Sequence, residues 1–537
     1  MEDETEKAIV SAFKDRWAVV CIISVVLLLL ILTNIPLLYG YLHRHPDLKF
    51  MGIVAGVRDA NIYFMMMVQG KGWSPVLENL FRPGEPNAIY HGFFWFFLGK
   101  LSSLLGMPHV AMFHVARIVA VIAFVPALYA FLCRFLNSSG QRLSTLLLVC
   151  FGGGAGWLMM LFYHRGSSLP FIPHDIEGPE ATAFYTHMTF PHVAFSLVLM
   201  VLCMLYIWDA VDSGKLPPAV RGGVCGLILG FIHVINLVVL CVALALFMGM
   251  SLVLKRHRES IRPLAVFGSF SLLPIAYYLY IMLAKPGLLP VGAVRSPSPP
   301  AYLVGFAPLL LASLLRVVSL VRRRSLPQSD LFLLCWVVGC SLLLYSYPIL
   351  SQEERAVLGL QVPLAVLSMR ALFWDILPGR RSAVVTAVVG VFIMFTLPSS
   401  LYNIYQRIER IRNSPEAFSL THDEYEALHF LESVPGMGIV LSSSERLGLY
   451  IPRIAHKRAW TGQYNYPSYA RRLEFIKDFF LEPAERSQYY RMLKEHDIDF
   501  IFYGPHERSL VQFQPERLEY LEKMFRNATV DIYRVGL

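Results

Sequence analysis

Long apolar runs recur along almost the whole chain. Runs near the length of a bilayer-crossing helix, about 17 to 25 residues, occupy 17–40, 110–133, 143–164, 189–211, 222–235, 237–254, 264–284, 301–321, 329–350, 356–377 and 383–403. The stretch 222–254 is too long for one crossing and barely long enough for two, with His233 and Asn236 marking a turn between them. Only 16% of residues are charged, against about 25% for a soluble chain. A soluble globular enzyme is excluded, as is a disordered or fibrous protein. The first run is too long for a signal-peptide core and lacks a small-residue cleavage site, so it is expected to stay as the first membrane helix. The expected architecture is an α-helical polytopic membrane protein with about eleven transmembrane helices.

The basic residues sit in short clusters between the runs, such as Lys255–Arg258 and Arg322–Arg324. A net charge of +9 placed this way is a topology signal, and no basic stripe interleaved with aromatics suggests nucleic acid. With the N-terminus inside, segments 1–16, 134–142, 212–221, 255–263, 322–328 and 378–382 carry 16 Lys/Arg. The opposite connections 41–109, 165–188, 285–300 and 351–355 carry 10 over about twice the length. The positive-inside rule then puts the N-terminus in the cytoplasm and the C-terminal segment outside.

Two regions follow: a membrane domain, 1–412, with a long first outer loop at 41–109, and a small extracytoplasmic α/β domain, 413–537. In the latter, 422–433, 466–480, 485–496 and 515–525 read as helices, and 438–442, 499–503 and 529–534 as strands. Segment 88–106, with Phe93, Phe97, Leu101 and Leu104 three or four apart, reads as a helix lying along the membrane interface. All eight cysteines fall in apolar runs without a C-x-x-C pair, so they are expected to pack rather than bind zinc or cycle redox.

The candidate chemistry gathers on the outer connections. Asp59, in RDANIYF, is a carboxylate soon after the first membrane helix. It suits a general base or cation ligand, and equally a helix N-cap. Arg58, Asn61 and Tyr63 flank it as candidate substrate contacts. The same loop adds Glu78, Arg82, Glu85 and His91. The next, 173–192, holds His174, Asp175, Glu177, Glu180, His187 and His192, without the tight spacing of a metal motif. His192 opens a membrane helix, where it suits phosphate binding or proton relay. His233 lies inside an apolar run, a functional site or a helix break. Arg355 stands at the outer end of a helix, as a phosphate fork or a snorkelling anchor. FGGGAGW, 151–157, lacks the strand and the Lys-Ser/Thr of a phosphate loop and reads as close helix packing.

This order of features resembles the GT-C superfamily of membrane glycosyltransferases, which includes protein O-mannosyltransferases and aminoarabinose transferases. The resemblance covers most of 17–405 in layout. It rests on the early acidic residue Asp59, the interfacial helix in the first loop and the outer C-terminal domain. The stretch YHGFFWFFLG is similar to the family's His-Pro-Pro-Leu-Gly segment, with Gly92 where proline is usual. The D-A-N-x-Y motif at 59–63 and Pro191-His192 place it nearest a prokaryotic branch. The resemblance implies a hexosyl- or pentosyltransferase using a polyprenyl-phosphate sugar donor and a lipid, glycan or protein acceptor. Asp59 would be the base, and Arg355 with His192 would hold the donor phosphate. Asn61 stands where a D-x-D pair would need its second carboxylate, which leaves a divalent cation open. Glu85 could replace that group. The alternative is a non-catalytic membrane subunit of an envelope polysaccharide assembly or export system.

Overall fold

The computed structural model describes residues 16–43, 45–254, 261–285, 294–463, 468–482, 485–510 and 513–536. The cluster Lys255–Arg258, residues 286–293 of the proline-rich connection 285–300 and nearly all of segment 1–16 lie outside the described residues. Two compact units are present. One comprises 1–35, 114–280 and 293–406; the other comprises 36–113, 281–292 and 407–537.

The first unit is helical, and each expected apolar run has a helix. Across the described residues, 8 helices are long and apolar enough to cross a membrane. A further pair, Pro299–Gly305 and Ala307–Arg322, is bent by 83°. Leu216–Ile232 and Gln328–Leu343 are shorter apolar helices. Burial separates centre from periphery. The apolar window of Glu353–Ile376 is 94% buried, whereas that of Ile261–Ala284 is 22% buried. An apolar helix that is exposed within its own protein needs a non-aqueous neighbour, which a bilayer supplies.

The uncertain stretch 222–254 is a helical hairpin. Leu216–Ile232 ends at His233, which also caps Val234–Val253. Leu237 Cδ1 comes within 3.5 Å of where a Cβ on Gly226 would stand. In a continuous helix those residues would lie about 16 Å apart. The chain therefore folds back at the ionisable residue.

The expected run 143–164 is broken as well. Ser139–Phe151 and Gly156–Tyr163 flank an interruption whose backbone would be orphaned in an apolar core. Buried side chains satisfy it. Asp175 Oδ2 accepts from Gly154 N (2.9 Å) and Gly156 N (3.2 Å). Gln361 donates to Gly152 O (2.6 Å) and accepts from Ala183 N (2.8 Å). A Cβ on Gly154 would collide with the Gly305 carbonyl. The glycine run thus provides close packing, as expected, and a helix break anchored by a carboxylate, which was not expected.

The second unit joins the first loop to the C-terminal segment. Strand β1 (Leu48–Phe50) starts the loop, and β2 (Leu77–Glu78) with β3 (Ala88–Ile89) forms a small ribbon. β4 (Ser419–Thr421), from the C-terminal segment, pairs antiparallel with β1. β5 (Ile439–Leu441), β6 (Arg458–Ala459), β7 (Ile498–Tyr503), β8 (Leu521–Arg526) and β9 (Asp531–Val535) form one sheet in the order β6-β5-β7-β9-β8. β5 is parallel to β6 and β7, and the remainder is antiparallel. Helices Tyr469–Phe480 and Arg486–Glu495 lead from β6 to β7. They bury Phe475, Phe479, Phe480, Tyr489 and Leu493 in the sheet's core.

One expectation is corrected here. Segment 515–525 is not a helix: a short turn at Pro515–Arg517 leads into β8. Its Glu, Leu, Lys and Met favour helix only weakly, and the hydrogen-bonded edge of β9 overrides that preference.

Candidate functional site

Asp59 lies in the second unit, on the helix Val57–Val68. It is not the N-cap. That position is Gly56, held at φ 55° and ψ 46°, a left-handed conformation that glycine adopts at little cost. Asp59 is the third helical residue, in the first turn, where the helix dipole favours a negative charge. It is exposed while its neighbours Ala60 and Asn61 are buried. Arg58 lies 3.5 Å from Glu445, and Tyr63 stacks on Trp95 with centroids 4.2 Å apart.

The helix is fixed to its neighbours. Helix Phe93–Leu104 packs against it so closely that a Cβ on Gly99 would overlap the Met67 carbonyl. That second helix buries Trp95, Phe96 and Leu98 and exposes Phe97, Leu101 and Leu104. An exposed apolar stripe fits an interfacial position. His91 is half-buried in the turn just before it.

Most other candidates of the first loop tie it to the C-terminal segment. Asn61 is fully buried. Its amide donates to Val57 O (2.8 Å), and its oxygen accepts from Arg453 Nη1 (3.1 Å). Glu78 accepts from Asn87 (2.9 Å) and from Arg458 Nε (2.7 Å). Glu85 receives Arg82 (3.1 Å) on one oxygen and Arg472 (3.2 Å) on the other. Burial pushes the Glu85 carboxyl up, but hydrogen bonds from Ser468, Arg82 and Arg472 outweigh it and hold the pKa below its ordinary value. Asn61 and Glu85 are therefore both held by arginines of the C-terminal segment. Among the described residues, no three His, Cys, Asp or Glu side chains gather to hold a metal ion.

In the first unit three candidates from distant parts of the sequence converge. His192 is the second residue of helix Pro191–Ser213. His233 is the hairpin break, and Arg355 lies in the turn Glu353–Val357 that leads into the most buried helix. The two imidazoles lie nearly parallel with centroids 6.2 Å apart. Arg355 Nη1 donates to His233 Nε2 at 3.4 Å. A guanidinium only donates, so Nε2 is the acceptor and the His233 hydrogen sits on Nδ1. That Nδ1 is buried and makes no hydrogen bond among the described residues. A guanidinium beside a buried N–H with no hydrogen-bond partner among the described residues is a donor pair suited to an oxyanion.

The adjoining loop supports this cluster. His174 Nδ1 lies 3.8 Å from Glu354 Oε1, and its ring packs on Tyr302 at 4.5 Å. Burial pushes the His174 pKa down to about 4, so at neutral pH this contact is not an ion pair. Burial raises the Asp175 carboxyl to about 6, partly offset by hydrogen bonds from Ser399, Gly154 and Gly156. Asp175 is thus a helix-break anchor and not an exposed contact. Glu177 is exposed and Glu180 half-buried. His187 is fully buried against Phe124, with Nδ1 2.7 Å from Ala183 O. Sequence reasoning missed Glu354 as a neighbour of His174, and it missed Arg453. Neither carries a local motif, since Arg453 sits in the unremarkable stretch IPRIA.

No model of a known protein family matches the sequence, and no curated protein matches it. Solved structures do. The aminoarabinose transferase ArnT from Cupriavidus metallidurans, solved with undecaprenyl phosphate bound, aligns at TM-score 0.54 and 11% identity over 96% of this chain and 97% of that one. The Archaeoglobus fulgidus oligosaccharyltransferase, tethered to an acceptor peptide, aligns at TM-score 0.53 and 13% identity over 92% of this chain and 70% of that one. The mycobacterial arabinofuranosyltransferase AftD aligns at TM-score 0.55 and 13% identity over 96% of this chain and 41% of that one. These are glycosyltransferases of the GT-C fold, and the chain has that fold.

Proposed function

We propose that the protein is a membrane glycosyltransferase that moves a sugar from a polyprenyl-phosphate carrier to an acceptor hydroxyl on the extracytoplasmic face. The observation that carries this reading is the convergence of His192, His233 and Arg355, within a GT-C fold, on a cluster equipped for an oxyanion. ArnT, of the same fold, was solved with undecaprenyl phosphate bound. A carrier phosphate is the oxyanion that such a reaction must hold and then release.

In this reading Arg355 forks onto the donor phosphate, and His233 Nδ1 donates a second hydrogen bond. Their task grows as the reaction proceeds. The bond from the sugar's anomeric carbon to the phosphate oxygen breaks, and negative charge gathers on the departing phosphate. Fixed donors placed for that charge stabilise the transition state more than the ground state. Asp59 accepts the proton of the acceptor hydroxyl as its oxygen bonds to the anomeric carbon. The exposed carboxylate on a rigid helix suits that role. The charge asymmetry of the connections supports an outer-facing C-terminal segment.

The test is sugar transfer by the purified protein in liposomes, with radiolabelled polyprenyl-phosphate hexoses and pentoses and a pool of envelope-lipid acceptors. Wild type is expected to transfer label from at least one donor. Asp59→Asn is expected to bind donor lipid but transfer at least about 100-fold more slowly. Arg355→Ala is expected to lose affinity for the donor phosphate. Full turnover by Asp59→Asn would overturn the assignment of the base. No transfer and no donor binding by wild type would favour a non-catalytic subunit of an envelope assembly system.

A further inference from the structure

Arg453 stands on a short helical turn of the C-terminal segment, Ile451–Ala455, yet its partners belong to the first loop. Its side chain is buried. Nη1 donates to Asn61 Oδ1 at 3.1 Å and Nη2 to Met51 O at 2.8 Å. The cation also lies 4.3 Å from the centroid of the Phe64 ring. Asn61 and Phe64 are on the helix that carries Asp59, and Asn61 in turn clamps the first turn through Val57 O. The ion pair of Arg58 with Glu445 holds the same turn from a second point in the C-terminal segment.

Burying a guanidinium is expensive unless its hydrogen bonds are well made. Here they converge on one helical turn. Aliphatic residues could fill this space without that cost, so retention of a cation points to a need for direction as well as packing. Asparagine at 61 also gains a reason. Its side chain has one acceptor for Arg453 and one donor for the helix carbonyl, and aspartate would lose the donor.

We propose that Arg453 is a positioning residue for Asp59: the C-terminal segment reaches through it into the first loop and sets where the catalytic carboxylate stands. This inference rests on the reading of Asp59 as general base. It assigns the C-terminal segment a share in catalysis without placing any of its residues on substrate. Positioning is worth a great deal in such a reaction, because displacing a carboxylate by about 1 Å can slow proton transfer about 100-fold.

The test uses the full-length protein in liposomes and compares wild type, Arg453→Gln, Arg453→Lys, Asn61→Ala and the double variant Arg453→Gln/Asn61→Ala. Arg453→Gln is expected to lower kcat by about 10- to 100-fold and to leave the KM for donor lipid unchanged. Arg453→Lys, which keeps the charge and one hydrogen bond, is expected to recover part of the loss. The double variant is expected to be no slower than the slower single one, because both cut the same link. Should Arg453→Gln fail to fold, Asn61→Ala carries the test, since it leaves Arg453 anchored on Met51 O. Unchanged kcat in Arg453→Gln, or in Asn61→Ala where that variant carries the test, would overturn the proposal. So would a loss shared equally between kcat and donor binding. Asp59→Asn run alongside separates the two ideas. If it retains activity, the base assignment falls; if it is inactive while Arg453→Gln turns over normally, only this inference falls.

Discussion

At the scale of single residues, buried polar groups repay the closest reading. Asp175 and His174 are adjacent, both buried, and shifted in opposite senses by the same desolvation. The folded Asp175 keeps its proton up to about pH 6, whereas an unfolded aspartate releases it near pH 3.8. Over that window the folded state holds the extra proton, so this group's contribution to stability falls as pH rises. His174 works the other way. It protonates near 4 when folded against 6.5 when free, so stability is lost as pH falls through that window. In wild type the two slopes oppose each other. Asp175→Asn is expected to remove one of them, since its amide oxygen can still accept from Gly154 N. The melting temperature of the variant minus that of wild type should grow from about pH 4 to about pH 6 and level off above it. A difference that stays constant with pH would show that Asp175 is not titrating in the fold. The sequence marked Asp175 as a candidate by residue type and loop position. It could not mark the burial that turns the carboxylate from a substrate contact into a helix-break anchor.

At the scale of elements, periodicity was the reliable guide and pairing was not. Helix Phe93–Leu104 was legible because Phe97, Leu101 and Leu104 recur at helical spacing, and those side chains are exposed as an interfacial helix requires. Strand β8 was not legible, because its residues favour helix mildly and its stability comes from β9, a separate segment. Nor was the packing of Phe93–Leu104 on Val57–Val68, which depends on a glycine contact across two elements. Gly99→Leu is expected to push those helices apart and to destabilise the second unit by about 1–3 kcal/mol. A thermal-shift measurement on the purified protein checks this, and an unchanged transition would show that the helices can separate without cost.

At the scale of the molecule, the second unit is stitched together from distant sequence. Arg453, Arg458 and Arg472 of the C-terminal segment reach Asn61, Glu78 and Glu85 of the first loop, and β4 pairs with β1. Truncation after residue 412 is therefore expected to leave the first loop without its partners. Limited proteolysis of the truncated protein should cut within 41–109 at protease concentrations that leave full-length protein intact. Equal resistance in the two would mean that the loop folds without the C-terminal segment.

The amino-acid sequence by itself determined the membrane class, the helical runs, the approximate number of helices and the residue types available for an oxyanion and a proton. Those properties are local: they depend on hydropathy, spacing and charge within about 20 residues. Only the tertiary structure decided which polar residues meet. His192, His233 and Arg355 come together from a helix start, a helix break and a turn, while Asn61 and Glu85 bind arginines nearly 400 residues on. The reason is physical. A buried polar group must find a partner wherever the fold brings one, and nothing in its own stretch of chain records which one that will be.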